Sequence, residues 1–231
     1  MNESYIQTYV DVDGKVNHRK LFARAKIILF AGLKFLFDRL IAIFDLIVAA
    51  PLMIIIAIAI KIDSKGPVLF KQKRTGKDGK IFYMYKFRTM VKDNDVHDFS
   101  KSDEPTRVGK ILRKTSLDEI PQLFAIATGK MSFIGPRPWI TDYYDNMNDY
   151  QRRRYGVRPG LTGLAQCMGR NNINIFEKIN YDLKYIRDYS LYQDLMIIVL
   201  TIKTVFTGHG AEAGKATIQT ELEDLKKFNK I

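Results

Sequence analysis

The stretch LIAIFDLIVAAPLMIIIAIAI, from Leu40 to Ile60, decides how the rest of this sequence can fold. Its length matches the roughly 20 apolar residues that carry an α-helix across a bilayer. Two features argue against a simple crossing. Pro51, near the middle, lacks the amide proton that would bond one turn back, and its ring crowds the carbonyl there, so a kink or break is expected. Positive charge flanks both ends, with Arg19, Lys20, Arg24, Lys26, Lys34 and Arg39 before the stretch and Lys61, Lys65, Lys71, Lys73 and Arg74 after it. Basic residues stay on the cytoplasmic side, so the segment has no preferred direction of crossing. A bend at Pro51 removes the conflict: two arms of about 10 to 14 residues rise roughly 15 to 20 Å each, enough to dip into one leaflet and return. Both basic flanks then face the anionic cytoplasmic surface. Asp45 is tolerable there against protein or near the interface. A single span and the buried helix of a water-soluble core are the alternatives.

Upstream, LFARAKIILFAGLKFLFDRL mixes Lys and Arg with aromatic residues, as expected of a helix lying among headgroups with its basic side chains snorkelling. The first residues, MNESYIQTYVDVDGKVNHRK, carry acidic groups and no apolar core, so they read as a short flexible tail rather than a cleavable signal. With 231 residues, 46% of them apolar and 27% charged, the chain has room for one substantial domain and an appendage. A net charge of +12 calls for an anionic partner: nucleic acid, an anionic membrane or a phosphorylated substrate. The single cysteine, Cys167, excludes a disulfide framework within the chain and a multi-cysteine zinc site. The three histidines, His18, His97 and His209, are too scattered to suggest a metal centre or a partner for a cysteine nucleophile.

After Lys61 the composition changes. Lys65-Gly66-Pro67 is a turn, Val68 to Gln72 a strand, Thr75 to Lys80 a hairpin loop and Ile81 to Phe87 a second strand. Basic and aromatic residues interleave there as in nucleic-acid binders, but such binders rarely carry a long apolar segment, so no nucleic acid is expected. Asp93 to Pro105 reads as a polar loop, and Arg107 to Lys114 as a short helix that delivers Arg113 to the next stretch, TSLDEIPQLF. In that stretch Ser116 and Glu119 have the spacing of a capping box, Leu117, Ile120, Leu123 and Phe124 recur at helical spacing, and Gly129 is a stop. Asp118 and Glu119 therefore read either as first-turn acids suited to the helix dipole or as a reacting pair. Lys130 to Pro138 is an apolar strand ending in a turn that fixes Arg137 between two prolines, a placement suited to bidentate phosphate recognition. VRPGLTG, 157–163, repeats the theme with Arg158, and Gly160 and Gly163 there permit close backbone approach to a ligand. Neither GxxxxGK[ST] nor GxGxxG occurs. Past Tyr181 one or two helices pack on the site or touch the bilayer, and Ala211 to Ile231 reads as an exposed charged tail with a short helix.

KFRTM (86–90), TSLDEIPQL (115–123), MSFIGPRP (131–138) and VRPGLTG (157–163), in this order behind a basic, proline-broken apolar segment, closely resemble the bacterial sugar transferase family, the small monotopic polyprenyl-phosphate phosphoglycosyl transferases. The resemblance covers residues 30 to 206, and the length of the chain matches the family members without extra N-terminal spans. It implies transfer of a sugar-1-phosphate from a nucleoside diphosphate sugar, usually a UDP-sugar, to a polyprenyl phosphate such as undecaprenyl phosphate. By motif match Asp118 is the nucleophile that holds the phosphosugar. Glu119 assists with proton transfer or with placing Mg²⁺, the metal falling to Asp118 and Glu119. Lys86, Arg88, Arg113, Arg137 and Arg158 are the candidates for phosphate and substrate contacts. The implied setting is the cytoplasmic face of a bacterial inner membrane, and a homo-oligomer is compatible with it. Two positions depart from the family pattern: Ala50 stands before the kink proline where serine is frequent, and Trp139 follows GPRP where an acidic or small aliphatic residue is expected.

The fold expected is α+β and mostly helical. It joins a flexible tail (1–20), an interfacial and re-entrant helix hairpin kinked at Pro51 (21–62), a compact cytosolic catalytic domain with a small β element (63–206) and a C-terminal tail (207–231). The rival function is a non-catalytic membrane adaptor with a basic binding face, in which Asp118 and Glu119 only cap a helix.

Overall fold

The computed structural model describes residues 18–90, 105–169, 172–207 and 217–229. Residues 1–17 of the expected tail, most of the expected loop after Asp93 and the linker 208–216 lie outside the described residues. A single α-helix, α1, runs over His18–Asp63 and is long and apolar enough to cross a membrane. The two arms expected around Pro51 are not separate helices, because the helical conformation continues through the proline. A proline inside a helix costs about 3 kcal/mol, and packing on either side offsets that cost. Before it, Ala42 is fully buried among Phe82, Met84, Leu123 and Ile126; after it, Ile56 and Ile60 pack with Phe87 and Leu112. The other face of α1 is bare: Phe44, Ile47, Val48, Ile54 and Ile55 are 61–69% exposed. An apolar surface this continuous is a membrane or partner surface rather than one left to water.

The rest of the chain is assembled from short elements against that helix. Strands β1 (Leu69–Thr75) and β2 (Ile81–Phe87) form the expected antiparallel hairpin, with Leu69 opposite Phe87 and Thr75 opposite Ile81. β1 runs three residues further than Gln72, and Gly79 takes the left-handed turn conformation at φ +75. α2 (Arg107–Thr115) starts on Thr106, whose hydroxyl accepts from the Gly109 amide at 2.9 Å. A 3-10 turn (Leu117–Gln122) follows, leading into α3 (Leu123–Ala127). Gly129, at φ +73, ends this run as expected, close against Phe35 of α1.

Strands β3 (Ser132–Ile134) and β4 (Gly160–Thr162) pair in parallel, setting the two arginine–proline turns back to back. The Gly135 amide donates to Thr162 O and the Gly160 amide to Pro136 O, each at 2.9 Å. A Cβ on Gly160 would lie 2.1 Å from Gly135 N, and one on Gly163 would lie 2.2 Å from Gly135 O. The close approach expected between these glycines and a ligand is therefore an approach to the neighbouring turn.

Short helices α4 (Thr141–Asp145), α5 (Asp149–Arg152) and α6 (Leu164–Met168) connect to the longer α7 (Ile175–Arg187) and α8 (Leu191–Thr207). Buried polar bonds tie α1 to this half: Lys34 Nζ lies 2.7 Å from Asp194 Oδ2, and Ser132 Oγ donates to Asp38 Oδ2 at 2.5 Å. The C-terminal segment is not simply an exposed tail. Helix α9 (Ile218–Asn229) buries Leu225 completely in a core with Trp139, Ile140, Tyr143, Ile175 and Ile179.

Candidate active site

Asp118 and Glu119 open the 3-10 turn, but not through a capping box. Ser116 sits in the left-handed region at φ 57 and makes no side-chain cap; its amide closes α2 on Arg113 O, and its carbonyl accepts from the Glu119 amide at 3.2 Å. The Glu119 carboxylate is thereby free of the backbone and turns inward. Lys86, from β2, donates to Glu119 Oε1 at 2.5 Å, and Arg137, from the turn after β3, donates to the same oxygen at 3.0 Å. Burial would raise the Glu119 pKa, but Arg137 and Lys86 outweigh it and hold the carboxyl at about 2. Burial likewise lowers the Lys86 pKa, with Glu119 opposing.

Asp118 differs from its neighbour in its partners and in the direction of its pKa shift. It is half-buried, and among the described residues no cation pairs with it within 4 Å. Burial raises its pKa, the Glu119 charge adds to that rise, and Lys86 and Arg113 oppose it. One carboxylate is thus locked as an anion between two cations, while the adjacent one is held at higher energy when ionised, as suits a nucleophile.

The candidate residues separate into two groups. Glu119, Arg113 and Arg137 line a cleft of about 1780 Å³, together with Ser116; Lys86 reaches the site through Glu119, and Asp118 adjoins the cleft between Ser116 and Glu119 without being one of its lining residues. Arg88 is not brought there. It is buried, and its guanidinium donates to Ser64 O and Lys65 O at 2.8 Å, closing the end of α1. Arg158 donates through Nε to Gly129 O at 2.9 Å and stacks on Phe35, 4.0 Å from the ring centroid, so it fastens the body to α1.

Sequence reading grouped Arg74 with the basic flank, yet it is a cleft residue. It donates to Pro138 O at 3.2 Å and to Gln72, and its buried Nε has no partner within the protein. Burial lowers its pKa to about 10, with Arg137 adding to the effect. Strand alternation was the signal available: Gln72 and Arg74 share the half-buried face of β1, while Lys71 and Lys73 point out. Beneath the Arg137 turn lies a fully buried pair. Arg154 meets Asp182 Oδ2 at 2.6 Å and 2.9 Å, donates to Arg137 O at 2.9 Å and lies over Trp139. Burial works against the Arg154 charge, but Asp182 outweighs it and keeps the guanidinium protonated.

The donors fit a metal only in part. Among the described residues no group of three or more His, Cys, Asp or Glu side chains could hold an ion. Glu119 Oε1 already carries two cations. Asp118 alone suits the Mg²⁺ habit of binding through one or two carboxylates plus substrate phosphate oxygens.

The family model for bacterial sugar transferases matches residues 30–208. The galactosyl transferase CpsE of Streptococcus agalactiae is 41% identical over 187 residues, covering 74% of this chain and 41% of CpsE. The uncharacterized sugar transferase EpsL of Bacillus subtilis is 39% identical over 182 residues, covering 78% of this chain and 90% of EpsL. A UDP-glucose:undecaprenyl-phosphate glucose-1-phosphate transferase of Xanthomonas campestris is 42% identical over 186 residues, covering 74% of this chain and 38% of that protein. The chain therefore spans about two fifths of CpsE and of the Xanthomonas protein but nearly all of EpsL.

Proposed function

Because the chain belongs to the bacterial sugar transferase family, we propose that it transfers a sugar-1-phosphate from a UDP-sugar to undecaprenyl phosphate, releasing UMP and starting a lipid-linked glycan. The observation that carries this reading is the split between two adjacent carboxylates, Glu119 fixed by Lys86 and Arg137 and Asp118 raised in pKa with no paired cation among the described residues. An Asp118 oxygen attacks the phosphorus bearing the sugar, the bond to the bridging diphosphate oxygen breaks, and UMP departs. The phosphosugar ester on Asp118 is then attacked by the lipid phosphate oxygen, which forms the new diphosphate and returns the carboxylate. Division into two displacements keeps each encounter between anions separate. Arg113, Arg137 and Arg74 supply positive charge along the cleft for the phosphoryl oxygens. Mg²⁺, bound through Asp118 and the diphosphate, would lower the repulsion between them.

In this reading α1 enters the cytoplasmic leaflet of the inner membrane and returns, bending at Pro51. Support comes from packing: residues before Pro51 (Ala42) and after it (Ile56, Ile60) contact the same body, which favours both lying on one side of the bilayer. A spanning helix would carry one of these contacts away. Labelling residues just before and after α1 from either side of the membrane tests this, and opposite sides would refute it. For the activity, the purified membrane protein is incubated with undecaprenyl phosphate and a panel of nucleotide sugars. Repeated turnover of UMP that requires the lipid is the expected outcome, with at most one UMP per enzyme molecule released without it, and no release with any donor would sink the assignment.

A further inference from the structure

The match to the family ends at residue 208, yet α9, beyond it, is built into the wall of the cleft. Ile218 and Glu221 line the cleft together with Tyr143 of α4 and Lys178 of α7. These three elements meet at one carboxylate: the Tyr143 hydroxyl donates to Glu221 Oε2 and Lys178 Nζ to Glu221 Oε1, each at 2.6 Å. Burial and the Glu221 charge together push the Tyr143 pKa up, so the phenol stays a hydrogen-bond donor. Trp139, the departure from the family pattern, lies 4.9 Å from the Tyr143 ring in the core that Leu225 of α9 completes.

Two kinds of wall line the cleft. α1 and α8 contribute Phe37, Ile41, Ile198 and Ile202, apolar side chains continuous with exposed membrane-suited surface, alongside the Lys34–Asp194 ion pair. α4, α7 and α9 contribute a phenol, an ammonium and a carboxylate beside the Trp139 ring. An isoprenoid chain suits the first set, and the second suits the water-soluble donor. A carboxylate, ammonium and phenol beside tryptophan form a surface suited to a ring carrying several hydroxyls, because each group can both satisfy its neighbours and bond an added hydroxyl.

We propose that α9, which lies beyond the matched residues, helps to form a donor subsite, in which the Tyr143–Glu221–Lys178 cluster binds a polyhydroxylated ring of the nucleotide sugar. The ring is the transferred sugar or the ribose, and the test separates them. This inference rests on the proposed transferase activity, so wild-type UMP release is measured first. Its absence would dispose of that activity, whereas unchanged donor recognition in active variants would dispose of the subsite alone. Glu221→Gln and Tyr143→Phe keep the size of the side chains. Each is expected to raise the KM for the UDP-sugar about tenfold, the loss typical of one hydrogen bond to a charged group, with a smaller fall in kcat. Inhibition by UDP, which has ribose but no sugar, gives the second arm: an unchanged inhibition constant places the transferred sugar in the subsite, and one weakened in parallel places the ribose there. Asn229→Ala is the structural control, because Asn229 ties α9 to Asn146 O and Gln151 outside the cluster. It should lower the Tm without moving the KM. If Glu221→Gln and Tyr143→Phe behave like Asn229→Ala, with lower Tm and unmoved KM, the cluster is only a strut and the inference fails.

Discussion

Two arginine–proline turns, GPRP around Arg137 and VRPG around Arg158, lie back to back on parallel strands, joined by the bonds from the Gly135 amide to Thr162 O and from the Gly160 amide to Pro136 O. As sequence they are near equivalents. In the fold Arg137 turns to Glu119, while Arg158 turns the other way, to Gly129 and Phe35 of α1. One turn therefore reaches the carboxylate pair and the other holds the body to the long apolar helix α1. The direction is set by what lies beneath each backbone: Arg154 and Asp182 brace the Arg137 carbonyl from below, whereas Arg158 rests on a helix that the turn itself does not encode. A rigid arginine is thus a tool whose use depends on its neighbours.

The largest effect that would break this contrast is at the carboxylate beside the one the first turn holds. Asp118→Asn should lower lipid-dependent UMP release by about a thousandfold or more, with the melting temperature and membrane recovery retained. Substantial turnover would mean that another group attacks phosphorus. Next, Arg137→Ala should cost about a hundredfold in kcat/KM, as the loss of one preorganised cationic donor does. Arg158→Ala should reduce activity per folded molecule far less, and should instead destabilise the fold by about 2 kcal/mol through a lost hydrogen bond and cation–π contact. Equal catalytic losses at the two arginines would erase the distinction between the turns. Gly129→Ala probes the same junction more gently: the left-handed φ and a Phe35 atom 2.7 Å from the new Cβ predict a stability loss on the order of 1–2 kcal/mol by chemical denaturation.

The smallest effect is in pH dependence. Because the Asp118 pKa is raised, the nucleophile protonates above the ordinary aspartate value of 3.8, and kcat/KM should fall on acidification from that higher point. Lys86→Met removes a cation that lowers the Asp118 pKa and should move the acid limb to higher pH. Glu119 has the opposite sign. Its depressed pKa contributes stability that is present above the ordinary value of 4.5 and lost as pH falls toward about 2. Denaturation midpoints measured across that window should therefore drop in the native chain and stay flatter in Glu119→Gln.

Much of the molecule was legible one segment at a time. The β1–β2 hairpin, α2 and the long helices after Tyr181 followed from period and turn residues, because local conformational preferences dominate there. The long apolar helix was equally plain, but its continuity through Pro51 was not, since packing on both flanks outweighs the local tendency of proline to divide a helix. Ser116 and Glu119 had the spacing of a capping box, and the structure uses neither as one, because two cations from distant strands compete for the Glu119 carboxylate more strongly than a backbone amide. Arg88 read as a phosphate ligand and is a clamp on α1. Arg74, lost among the basic residues of the flank, is in the cleft.

By itself the sequence determined the family and the groups it brings: an apolar helix with basic flanks, a carboxylate pair and arginines held by prolines, each a property of residues close together in the chain. Only the tertiary structure decided which arginine faces which partner, which of two adjacent carboxylates is neutralised, and that a C-terminal helix brings Glu221 to Tyr143 and Lys178. Those outcomes depend on contacts between residues 18 to 78 positions apart, fixed by the packing of whole elements and invisible to any local pattern.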